Sequence, residues 1–106
     1  MTVPIKELIE IDLLDKIDIR VGTIKSVEDI KKSDRLVKLS VDFGDFMRTI
    51  LVGMKGERDD PKEIEGLQAL FVVISEGMLF DIGYADGIVP VLAQPEKPVP
   101  DGTRVG

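Results

Sequence analysis

Five cations, Lys25, Lys31, Lys32, Arg35 and Lys38, fall around one predicted connection between strands, and Arg48 lies across the hairpin that follows. Ammonium and guanidinium groups gathered in this way can hold phosphate oxygens and release the counterions condensed on a nucleic-acid backbone. The same residues fit an ordinary solvated face, because exposed charge is the rule for Lys and Arg. Between Lys16 and Lys55 basic residues outnumber acidic ones nine to six, a local charge of +3 in a 106-residue chain of formal charge −6, so the remainder carries −9. Screening over about 8–10 Å decouples such regions, and net acidity does not by itself exclude a phosphate-binding surface.

Other chemistries lose their usual residues. The chain has neither Cys nor His, which removes disulfides, thiolate metal sites, the commonest metal ligand and the usual general base. Asp12, Asp15, Asp18, Asp59, Asp60 and Glu63 lack the glycine-containing acidic loop that wraps calcium and read as solubilising charge. No catalytic turnover, metal or cofactor is expected. No apolar run approaches the roughly 20 residues that span a bilayer, and no basic segment leads into an apolar signal region. A soluble, cytoplasmic protein with no membrane partner is the expectation.

The elements that must position the cations read as one domain over residues 1–106: a lead-in helix in 1–15, a barrel in 16–93 and an extended segment in 94–106. Ile5, Leu8, Ile9 and Leu13 recur at helical spacing after Pro4. From Ile17 the period becomes two, and Gly22 marks an expected bulge or bend. Val37, Leu39, Val41 and Phe43 share one strand face, Gly44-Asp45 offers a turn, and Met47–Gly53 completes a hairpin. Charged Glu57–Gly66 reads as a loop or short helix before an apolar strand at Leu67–Ile74. Further strands follow at Leu79–Ile82 and Gly87–Ala93, with Pro90 suggesting an edge or a bulge. Only Ser75–Gly77 remains to turn between two apolar runs. Ser75 reads as a turn residue, Met78 as a core gap-filler and Gly77 as a backbone conformer denied to other residues. With four Phe and one Tyr, three of the Phe on strand-interior phases, base-stacking platforms are scarce.

Taken in order, DIRVGTI at Asp18–Ile24, KKSDRLVKLSVDFG at Lys31–Gly44, SEGM at Ser75–Met78 and PVPDGTRVG at Pro98–Gly106 resemble the OB-fold tRNA-binding domain. That domain occurs as a stand-alone dimer and as an appendage of methionyl-tRNA synthetases. The resemblance spans nearly the whole chain and implies an all-β, five-stranded OB barrel. It implies that Lys25, Lys31, Lys32, Arg35, Lys38 and Arg48 contact tRNA phosphates, that the Ser75 hydroxyl bonds phosphate or base, and that the Met78 thioether meets a base face. It also implies a homodimer and an aminoacyl-tRNA synthetase as a partner in trans. The apolar residues Ile5, Leu8, Ile9, Leu13 and Leu14 exceed what a short helix can bury on a small barrel, a separate motive for pairing. In similar domains a longer basic loop precedes the Ser-x-Gly-Met block. Either this chain lacks that loop, or mobile residues have dropped out between Val73 and Ile74, the alternative favoured here. A second branch, chaperone-like dimers that bind unfolded polypeptide, shares the DIRxGxI and PxGTxxG blocks; the Gly-Met pair favours the RNA branch.

Overall fold

The computed structural model describes residues 3–106; Met1 and Thr2, which the lead-in helix was expected to include, lie outside the described residues. Five antiparallel strands form the main sheet: β1 (Ile19–Asp29), β2 (Leu36–Asp42), β3 (Met47–Gly53), β4 (Gln68–Val72) and β5 (Met78–Leu79). Their spatial order is β3-β2-β1-β4-β5, and β6 (Asp81–Ile82) pairs with β7 (Val91–Leu92) in a separate ribbon. The all-β, OB-like architecture agrees with the sequence reading. The barrel, however, stays unsealed: β3 and β5 approach one another at the two ends of the sheet order without ladder pairing.

Alternation dictates the core. Val37, Leu39, Val41 and Phe43 point inward from β2 and its end, meeting Ile50 from β3 and Ala69 and Phe71 from β4. Phe43 stacks on Phe46 at 5.1 Å and meets Phe71 edge-on at 5.4 Å, so three of the few aromatic rings serve packing. Gly44, at φ +89°, turns the β2–β3 hairpin while its N–H donates to the Asp42 carboxylate at 2.8 Å. A 3-10 turn at Pro61–Ile64 then inserts Ile64 into the core, capped by Asp60 accepting from the Lys62 N–H.

Three local expectations need correction. Among the described residues of the lead-in segment only Ile11–Leu14 is α-helical: neither it nor residues 3–10 buries an apolar stripe, and a short helix without such packing does not propagate. The irregularity in β1 falls at Lys25, not Gly22: Ile24 pairs with Val41 and Ser26 with Ser40, leaving Lys25 as the extra residue. That bulge lets Ile24 and Val27, three positions apart, both enter the core. Gly22 is needed for close approach, since a Cβ there would lie 2.6 Å from Val41 Cγ1. Finally, the strand expected over Gly87–Ala93 shrinks to Val91–Leu92, and Asp81–Ile82 is exposed. Gly83 and Gly87, at φ +106° and +75°, turn the chain around a 3-10 turn at Tyr84–Asp86.

The last residues complete β1. The Val21 N–H donates to Thr103 O at 2.9 Å, the Gly102 N–H to Val21 O at 2.7 Å and the Val105 N–H to Ile19 O at 2.8 Å. Asp101 accepts from Thr23 Oγ1 at 2.6 Å and from Gln68 Nε2 at 3.0 Å, tying this segment to β1 and β4.

Candidate nucleic-acid interface

Two connections frame the site. The first, between β1 and β2, carries Lys31, Lys32 and Arg35, all exposed and, among the described residues, without a side-chain ion pair or hydrogen bond. Its shape comes from Ser33: the Ser33 N–H donates to Ile30 O at 3.0 Å, and its hydroxyl accepts from the Leu36 N–H at 3.0 Å and the Arg35 N–H at 3.2 Å. The turn therefore exposes cationic side chains while a small polar residue satisfies its backbone.

Between β4 and β5 runs the second connection. The Gly77 N–H donates to Ile74 O at 3.1 Å, and Gly77 adopts φ +72°, with only 2.9 Å between a would-be Cβ and Ile50 Cγ1. This glycine permits the short junction, as its sequence context suggested. Ser75 is exposed on the turn. Met78, at 48% exposure, is half-covered and not the core gap-filler that its residue type suggests.

Arg48 joins the second connection, not the first. It lies on the inward phase of β3, paired with Val41 and in step with Ile50, whereas Lys38 points outward from β2. Its Nη2 donates to Ile74 O at 2.9 Å and to Ser75 O at 2.8 Å, spanning the unsealed β3–β5 seam. A shallow groove of about 510 Å³ there is lined by Arg48, Thr49, Leu51, Ser75, Glu76 and Gly77. A neighbouring groove of about 280 Å³ brings Arg35 beside Met78. The seam thus gathers Arg48 with Ser75 and Arg35 with Met78. Lys31 and Lys32 stand on the adjoining loop, Lys25 sits exposed on the β1 bulge, and Lys38 reaches Glu28 across the strands at 3.2 Å. An exposed pair of that kind contributes about 0–1 kcal/mol and leaves the lysine able to exchange partners.

Sequence reasoning passed over Lys55, just beyond β3, whose ammonium lies 2.5 Å from the Asp29 carboxylate and donates to Ile30 O and Ser33 O. Nothing in the sequence separates it from the other cations of the region. Among the described residues no cluster of carboxylates could hold a metal ion, and no helix is long and apolar enough to cross a membrane.

An OB-like sheet with a cationic β1–β2 loop and a polar β4–β5 turn at its open seam defines a binding domain of the kind that engages oligonucleotides. Residues 19–104 match the family described as "Putative tRNA binding domain", and the chain belongs to that family. It is 36% identical over 112 positions to the methionine–tRNA ligase of Parabacteroides distasonis and 40% over 112 to that of Methanococcoides burtonii. These matches cover 96% and 94% of this chain but 16% of each relative, so the chain corresponds to about a sixth of their length. The first match uses 96% of 106 residues, about 102, across 112 positions; roughly ten positions of that relative have no counterpart here. Among solved structures, a MetRS-related protein from Pyrococcus horikoshii superposes with a TM-score of 0.83 at 36% identity, covering 95% of this chain and 100% of that one. The chaperone CsaA of Bacillus anthracis shares the fold, with a TM-score of 0.81 at 23% identity over 94% of this chain and 100% of its own.

Proposed function

We propose that this chain is a non-catalytic protein that binds folded tRNA largely without regard to sequence and holds it for an aminoacyl-tRNA synthetase acting in trans, in the cytoplasm. The observation that carries the reading is the groove that Arg35, on the exposed cationic loop, shares with the exposed Met78, next to the seam where Arg48 meets Ser75. Lys25, Lys31, Lys32, Arg35 and Lys38 supply phosphate contacts, Arg48 supports the seam, and Ser75 and Met78 meet sugar, phosphate or base. Because Phe43, Phe46 and Phe71 pack together, recognition rests on the backbone and shape of a folded RNA, not on stacked bases. Filter binding of mixed tRNA to the protein carrying Lys31→Glu and Lys32→Glu tests this. A large loss of affinity at low salt is expected, with no change in preference among tRNA species; affinity equal to the parent's would overturn the assignment.

The protein acts as a homodimer in this reading. Ile5 and Leu8 are 92% and 88% exposed, and Ile82, Ile88, Val89 and Val91 add apolar surface on the β6–β7 ribbon. The two regions adjoin, for the Val3 N–H donates to Asp86 Oδ1 at 3.2 Å. Light scattering at micromolar concentration should give twice the chain mass, and a monomer unaffected by dilution would refute pairing. The same apolar surface also suits an unfolded polypeptide, so a parent protein that captures unfolded chains but no tRNA would transfer the function to the chaperone-like reading.

A further inference from the structure

Around the β1–β2 connection Lys25, Lys31, Lys32, Arg35 and Lys38 are exposed, and Lys55 is not. Lys55 is only 21% exposed, and its ammonium, which has three N–H donors, faces three acceptors: Ile30 O at 2.7 Å, Ser33 O at 2.6 Å and the Asp29 carboxylate at 2.5 Å. Its own backbone N–H donates to Arg35 O at 3.1 Å. One residue at the end of β3 thereby gathers acceptors from the start, middle and end of the loop that carries Lys31, Lys32 and Arg35. No donor of the ammonium is left for a phosphate, and the carboxylate beside it balances its charge.

We propose that Lys55 is a positioning residue for RNA binding: it fixes the Asp29–Arg35 loop so that Lys31, Lys32 and Arg35 meet the phosphate backbone together, without touching RNA itself. Among the described residues two side chains fasten the loop, the Lys55 ammonium and the Ser33 hydroxyl, beside the backbone bonds from Ser33 N–H to Ile30 O and from Lys55 N–H to Arg35 O. The loop's three free cations would otherwise repel one another into an ensemble of conformers, each of which must be reordered on binding. This inference rests on the tRNA-binding reading for its consequence, but the clamp itself exists in the unliganded protein.

The test compares Lys55→Met, Ser33→Ala and Lys31→Met. Amide hydrogen exchange of the free proteins should speed up at Ser33, Arg35 and Leu36 in the first two variants by about ten-fold or more, and not in the third. Mixed-tRNA affinity of Lys55→Met should fall about ten-fold, with the slope of log affinity against log salt close to the parent's, whereas Lys31→Met should lower that slope by about 0.7–0.9. Ser33→Ala removes no charge, so it should reproduce the Lys55→Met pattern in weaker form, and it carries the test alone if Lys55→Met does not fold. A slope reduced in Lys55→Met as in Lys31→Met would make Lys55 a direct contact and overturn the proposal. Unchanged loop exchange, or a loosened loop that binds tRNA as tightly as the parent, would overturn it equally. If the parent protein itself binds no tRNA, the proposed function fails, and exchange still decides whether Lys55 clamps the loop.

Discussion

Strands β1 to β3 and the chain beyond β4 are built from similar apolar residues, yet the first bury most of them and the second, Leu79 and Leu92 apart, leaves most of them exposed. In β2 every second residue is apolar, so one face of a seven-residue strand enters the core as a unit. At Ile88–Val91 the apolar residues are contiguous and the paired strand is only two residues long; successive side chains must point in opposite directions, and Ile88, Val89 and Val91 remain exposed. Residue type is therefore not what distinguishes a core strand from an exposed ribbon here. Periodicity is.

The contrast can be broken by substitution. Phe71→Ala empties the centre of the core, where Phe71 is fully buried against Phe43, and should cost about 3–5 kcal/mol by urea unfolding. Gly22→Val drives a side chain into Val41 and Phe43, with a first approach of 2.6 Å, and should cost about 1–3 kcal/mol by the same measurement. Thr23→Val removes the donor to Asp101 at 2.6 Å and leaves that carboxylate one partner fewer; a loss of about 1 kcal/mol is expected, with faster amide exchange at Gly102. Ile88→Ser, on the ribbon, should change the stability of the isolated chain by less than about 0.5 kcal/mol while weakening self-association in dilution series. A large intrinsic destabilisation by Ile88→Ser would erase the distinction between the two regions.

The β2–β3 hairpin was legible because alternation and the Gly44-Asp45 turn agree within one stretch of sequence. The β1 bulge was not: register is a relation between strands, and nothing in Lys25 itself announces that Val41 and Ser40 will pair around it. Ile5, Leu8, Ile9 and Leu13 have helical spacing, but spacing cannot supply the surface that would stabilise a helix, and the helix shrinks to Ile11–Leu14. At the candidate site, the exposure of the β1–β2 loop cations was legible from their charge, whereas a phosphate-contacting role for them rests on the resemblance of the surrounding blocks. The division of labour was not, because Arg48 at the seam and Lys55 behind the loop acquire their partners only when distant backbone carbonyls are brought to them.

The closure of β1 by residues 102–105 also sets a timetable. Val21 waits for Thr103, roughly 80 residues later, and at typical synthesis speeds of about 5–20 residues per second that interval lasts about 4–16 s. Until then β2 and β4 can pair with β1, but the outer edge of its Ile19–Val21 end has no neighbour. A chain growing on the ribosome therefore passes through a stage in which the backbone edge at Ile19–Val21 is open to other nascent polypeptides, and the arrival of residues 102–105 ends that exposure.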